Sequence, residues 1–90
     1  MLILITYDLK GPATRYTPLY DYLKGQAKWM HYLASTWIVK TSKTPNEIMD
    51  GIRPLLKDGD HVLAVEFKRP YQGWMPKAAW KWINTNKEYE

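Results

Sequence analysis

Asp8 closes the aliphatic run Leu2-Ile3-Leu4-Ile5-Thr6-Tyr7 and stands just before Gly11-Pro12. A carboxylate in that place lies at the carboxyl end of a strand, well put to ligate a metal ion. Mg²⁺ is a hard cation that takes oxygen ligands and needs only one or two protein carboxylates; Mn²⁺ is the alternative for the same site. If a dimer axis passes nearby, two copies of Asp8 share one ion. The plain alternative is a strand-end Asp that caps the following turn through its own side chain. Lys10 and Arg15 follow on the same loop and could hold a phosphate beside such a metal. Tyr16, Lys40 and Lys43 extend this constellation, whose ordinary alternative is solvated loop charge.

The remaining chemistry is sparse. His31 and His61 are the two histidines, and each is either a general base or a structural residue. Ser35 and Thr36 have no base placed beside them by sequence, so a nucleophilic triad is unsupported. No paired carboxylates occur at a spacing that calls for acid–base work: Asp58 and Asp60 read as turn residues, Glu66 as a surface partner of Lys68-Arg69, and Asp21 and Asp50 as exposed helix positions. The five glycines are isolated, so no phosphate loop is present. There is no cysteine, which removes disulfides, thiolate metal sites and thiol nucleophiles together.

A second constellation is aromatic and basic. The chain holds five Trp and seven Tyr against one Phe. Its net charge is +4, unevenly spread: residues 1–67 carry +1 and residues 68–90 carry +3. Basic charge interleaved with aromatic rings is the composition of nucleotide and single-strand binders. It is also that of a helix packing Trp on a core while presenting Lys to water. Tyr7, Lys10, Arg15, Trp37, Lys40, Trp74, Lys77 and Lys81 are the candidate ligand-binding residues, and Asp8 is the candidate catalytic and metal residue.

These side chains must be positioned by a small framework. Ninety residues suffice for one compact domain, read here as a core over 1–67 and a basic, Trp-rich extension over 68–90. Leu2 to Tyr7 reads as a buried strand. Thr17-Pro18 supplies an N-cap and a first-turn proline, and apolar spacing carries a helix to about Lys28. Trp29 to Thr41, β-branched and aromatic, reads as one strand or as a hairpin. Thr44-Pro45-Asn46-Glu47 is a capping box, opening a helix through Ile48, Met49, Ile52, Leu55 and Leu56 whose last turn Pro54 kinks or turns into 3₁₀. Asp58-Gly59-Asp60 is a turn, His61 to Phe67 a strand. An edge strand after Pro70 would be the fifth, and a short helix spans Pro76 to about Asn84.

The predicted fold is α+β, a ferredoxin-like sandwich with four or five antiparallel strands, two main helices on one face and a short C-terminal helix. Too little chain remains to cover the second face. An aromatic-rich open face is an exposed apolar patch of the kind that marks partner surfaces, so a homodimer is expected. The opening run is too short for a signal segment and no stretch has the apolar length of a membrane span; the chain reads as cytoplasmic.

Ile3-Leu4-Ile5-Thr6-Tyr7-Asp8-Leu9 resembles the opening strand of the small CRISPR-adaptation nuclease-like proteins. The block from His31 to Thr41 is similar to the second strand of their SinR-like branch. The capping box, Asp58-Gly59-Asp60-His61-Val62-Leu63 and the Trp-rich terminal helix extend the resemblance over nearly the whole chain. It implies a ferredoxin-like homodimer related to nucleases and to toxin-like proteins of the VapD kind, with Asp8 in the metal-ligand position. Only Arg15 stands where that family carries several arginines after the strand-one Asp, and the terminal helix replaces a strand swap. Two functions follow as expectations: a binder of nucleic acid or a nucleotide, or of a protein partner in a defence or anti-defence system; and a metal-dependent endonuclease.

Overall fold

The computed structural model describes residues 1–89. Their order is β1 (Leu2–Asp8), a 3₁₀ turn (Ala13–Tyr16), α1 (Thr17–Lys24), β2 (Lys28–Leu33), β3 (Thr36–Lys40), α2 (Pro45–Ile52), a second 3₁₀ turn (Arg53–Leu55), β4 (His61–Glu66) and α3 (Lys77–Asn86). The strands form one sheet in the order β2-β3-β1-β4, each neighbouring pair antiparallel. A β-α-β-β-α-β chain with β1 placed between β3 and β4 is a ferredoxin-like sandwich.

Side chains alternate across β1 because successive residues in a strand point to opposite faces. Ile3 and Ile5 point to the face covered by α1 and α2, where they join Tyr16, Leu19, Leu23, Trp37, Val39, Ile48 and Ile52. Full burial of one such aliphatic side chain contributes about 1.5–3 kcal/mol. Leu2 points the other way, into a second cluster with Met30, Ile38, Ala79 and Ile83. The second sheet face is therefore partly covered, contrary to the sequence expectation. α3 lies along it, burying Ala79 and Ile83 while Trp80, Trp82, Phe67 and Tyr71 pack around them. The large apolar side chains left exposed are aliphatic and aromatic alike: Leu33, Leu63 and Val65 are 45, 61 and 45% exposed, Tyr32 and Trp74 46 and 100%.

Several boundaries differ from those read in the sequence. α1 ends at Lys24, short of Lys28, with Gly25 at the C-cap in a right-handed conformation, donating back to Asp21 O; glycine is a poor helix former. Gln26 then turns its amide to Tyr22 O and accepts from Thr41, which releases Lys28 into β2. Thr17 is the first helical residue rather than the cap. A 3₁₀ turn runs directly into the helix, and the Thr17 hydroxyl donates to Thr14 O. Trp29–Thr41 is a hairpin, joined by Ala34-Ser35 and irregular between Met30 and Leu33. No fifth strand follows Pro70 among the described residues, and α3 runs two residues past Asn84. The capping box of Thr44 and Glu47 and the 3₁₀ turn at Pro54 form as expected.

Candidate functional site

Asp8 is the last residue of β1, exposed, and directly opposite His61 in the β1–β4 register. Opposite residues of an antiparallel pair carry their side chains on the same face, with Cβ atoms roughly 4.5–5.5 Å apart. Carboxylate and imidazole thus stand side by side on the sheet face that α1 and α2 do not cover. Residues 6–8 and 61–63 surround an open hollow of about 320 Å³. Thr6 continues the row inward, accepting from the Thr36 hydroxyl at 3.1 Å. A carboxylate and an imidazole offer one hard and one borderline ligand. No group of three or more His, Asp or Glu side chains able to hold a metal forms among the described residues. A single copy supplies Asp8 and His61 here, and an Mg²⁺ or Mn²⁺ ion on them would complete its shell with water, substrate oxygens or a second copy's Asp8.

The loop after Asp8 is fastened by a residue that sequence reading had left as a turn position. Asp60 Oδ1 accepts from Lys10 N at 2.9 Å and from the Tyr16 hydroxyl at 2.8 Å, while Oδ2 accepts from Lys57 N at 2.7 Å. Tyr16 is itself buried, and its hydroxyl accepts from Gly11 N at 3.2 Å. Burial works to raise the Asp60 carboxyl, but the two amides and the hydroxyl outweigh it and leave the group below its ordinary range. The Tyr16 hydroxyl is pushed up by burial and by donation to that carboxylate. Lys10 and Arg15 are exposed on this braced loop. Arg15 folds back over Gly11, and the Lys10 chain lies against Gly59, whose φ of +88° suits glycine.

Of the candidate ligand-binding residues, Trp37 belongs to the core and Tyr7, partly buried, packs against it. Trp37 is 1% exposed and donates its indole N–H to the Tyr7 hydroxyl at 3.0 Å. Its ring stacks against His31 at 4.0 Å and against Tyr20 at 6.2 Å between centroids. Burial holds the Tyr7 hydroxyl above the ordinary phenol range, against the opposing indole donation. The pair faces α1 and α2, away from Asp8, because β1 alternation puts residues 7 and 8 on opposite faces. Aromatic type suggested a binding surface; inward orientation makes these rings packing instead.

Lys40 pairs with Leu2 at the far end of β1, about 20 Å along the strand from Asp8 at ~3.3 Å per residue. Its ammonium lies 4.0 Å from Glu88, so it does not join the Asp8 loop. Trp74, Lys77 and Lys81 lie apart from that loop, on the segment leading into α3 and on α3 itself. Trp74 is 100% exposed. Lys77 and Lys81 share the outer face of α3, four residues apart, while Ala79, Ile83 and Asn86 face inward. Beside Trp74 an apolar groove of about 200 Å³ opens between the sheet and the chain leading to α3.

Comparison of the chain with family models, curated proteins and solved structures returns no match. The functional reading therefore rests on geometry and charge. Two relations escaped the sequence reading: the pairing of His61 with Asp8, legible only once strand register is known, and the bracing of the loop by Asp60. The Asp60 partners Lys10 and Tyr16 lie 50 and 44 residues away in sequence.

Proposed function

We infer that this chain is a nucleic-acid-binding protein that works as a homodimer. The observation that carries this reading is Trp74, wholly exposed on the segment that leads into the lysine-bearing helix α3. An indole left in water costs free energy unless it meets a partner, and base stacking is sequence-tolerant with every base offering a π-face. Lys77 and Lys81 supply the charge that a phosphate backbone neutralises. The open aliphatic strip of Leu63 and Val65 on β4 is the surface for a second copy, in keeping with the homodimer that the resemblance to the SinR-like branch implies. The test is fluorescence anisotropy of labelled single-stranded DNA and RNA over a range of salt. Trp74→Ala should weaken binding roughly 5- to 150-fold, corresponding to about 1–3 kcal/mol of stacking. Replacing Lys77 and Lys81 by Ala should reduce the log–log salt slope by about 1.4, since each phosphate contact on a single strand contributes ~0.7. Unchanged affinity and slope in both variants would exclude the reading.

A second reading is favoured by the Asp8–His61 pair: metal-dependent cleavage of nucleic acid. Asp8 carboxylates from two copies would complete what one copy lacks, and a bound Mg²⁺ or Mn²⁺ would supply an activated water for a phosphodiester. Lys10 and Arg15, on the loop braced by Asp60, would orient the phosphate. Cleavage lost in Asp8→Asn with the fold intact supports this reading; cleavage that persists in that variant removes Asp8 from it.

A further inference from the structure

We propose that the groove beside Trp74 is a pocket for one unstacked base of a single-stranded nucleic acid. The inference rests on the nucleic-acid-binding reading and names where that ligand is held. The groove is walled by Leu4, Met30, Leu33, Ile38, Phe67 and Met75. Its volume of about 200 Å³ falls below the roughly 300–1,000 Å³ of pockets that enclose whole drug-sized ligands. It suits a single ring system rather than a whole nucleotide. Two of its walls are thioethers, and sulfur contacts with aromatic rings are favourable.

Two polar side chains are available to a base, and the Thr36 hydroxyl, which donates to Thr6, can there only accept. Gln72 and Thr36 lie on the lining. The Gln72 carbonyl accepts from Gly73 N at 3.0 Å, which leaves its amide NH₂ as a donor. Trp74 itself borders the groove, so a neighbouring base can stack outside while one enters.

Charge selects among possible occupants. Residues 69–81, the stretch that shapes this side of the groove, hold Arg69, Lys77 and Lys81 and no acid, while Lys68 just before them pairs with Glu66 at 3.8 Å. A second copy seated here by two-fold symmetry would set these like charges against one another. An apolar peptide would leave them unused. A polyanion whose bases are apolar-faced matches both the uncharged walls and the basic charge of the segment that borders them.

The experiment is NMR of the full chain with ¹³C-methyl methionine. The four methionines include Met30 and Met75 in the groove and Met49, packed with the α1–α2 core, as an internal reference. The probes are a short deoxyadenosine oligonucleotide and the same backbone made entirely of abasic sugars. Shifts of Met30 and Met75 with the first probe but not the second, Met49 staying still, are the expected result. Leu33→Trp, which fills the groove from its exposed rim, should weaken oligonucleotide binding at least roughly fivefold. Binding that depends on Trp74 and Lys77 while both groove methyls stay silent overturns the pocket and leaves the broader reading intact. No binding of either probe overturns both. Groove methyls that move with protein concentration alone, and no further with oligonucleotide, place a second copy in the groove and overturn the proposal.

Discussion

Asp60 shows how much of a small domain can depend on one carboxylate that contacts no substrate. Three hydrogen bonds reach it, from Lys10 N, Lys57 N and the Tyr16 hydroxyl, and together they join the β1 exit loop to the turn before β4. That joint fixes the ends of the two strands that carry Asp8 and His61. Its pH behaviour follows from the direction of the shift. A carboxyl held below its ordinary value of 3.8 contributes stability that is fully present above that value and is lost as pH falls through the depressed one. Glu47, held low by the Thr44 amide and hydroxyl, acts in the same sense. Thermal melts from about pH 6 to about pH 3 should therefore show a falling Tm. Asp60→Asn should melt lower than the wild type at neutral pH and lose less on acidification, because an amide nitrogen cannot accept from Lys57 N. Equal acid sensitivity in the two proteins would assign the loss to other groups. Sequence could not reveal this role, because an Asp-Gly-Asp turn has a complete local explanation and the Tyr16 that completes it lies remote in the chain.

Among the elements, legibility followed the range of the interactions. The capping box and the proline-induced 3₁₀ turn were readable because every atom involved lies within a few residues. Thr44→Ala should cost about 1 kcal/mol in chemical denaturation, the usual worth of an N-cap; no change would mean that the first turn is held by packing alone. The β2–β3 hairpin was ambiguous because Ala34-Ser35 carries neither the Gly nor the Asn that usually announces a two-residue turn. The placement of α3 was less accessible still. Trp80, Trp82 and Ile83 at that spacing fit a helix docked on a core, yet nothing local states which face receives it. The packing answers: Ile83 and Ala79 are buried with Leu2, Met30 and Ile38. Ile83→Ala should accordingly destabilise the whole domain by about 2–5 kcal/mol, a large share of the ~5–15 kcal/mol available to a native protein. A loss confined to the helical signal of α3, with the core transition unmoved, would show the helix to be an appendage.

At the scale of the molecule, the sheet divides labour between its faces. One is closed by α1 and α2 over the Trp37 cluster. The other is shared between α3, the groove beside Trp74, and an open strip of β4 that ends at Asp8 and His61. No helix among the described residues is long and apolar enough to cross a membrane. If the β4 strip receives a second copy, replacing Leu63 and Val65 by Lys should convert a dimer to a monomer in sedimentation experiments, since like charges facing across a two-fold axis repel. A wild type that sediments as a monomer at the same concentration would remove the homodimer from the proposal. The contrast between Trp37 and Trp74, one enclosed and one wholly in solvent, also makes the protein its own optical instrument. Emission from the enclosed indole lies toward the blue and resists collisional quenchers, whereas Trp74 emits toward the red and is quenched freely. With Trp29, Trp80 and Trp82 replaced by Phe, an event at the outer surface and an event in the core become separable signals from one unlabelled sample.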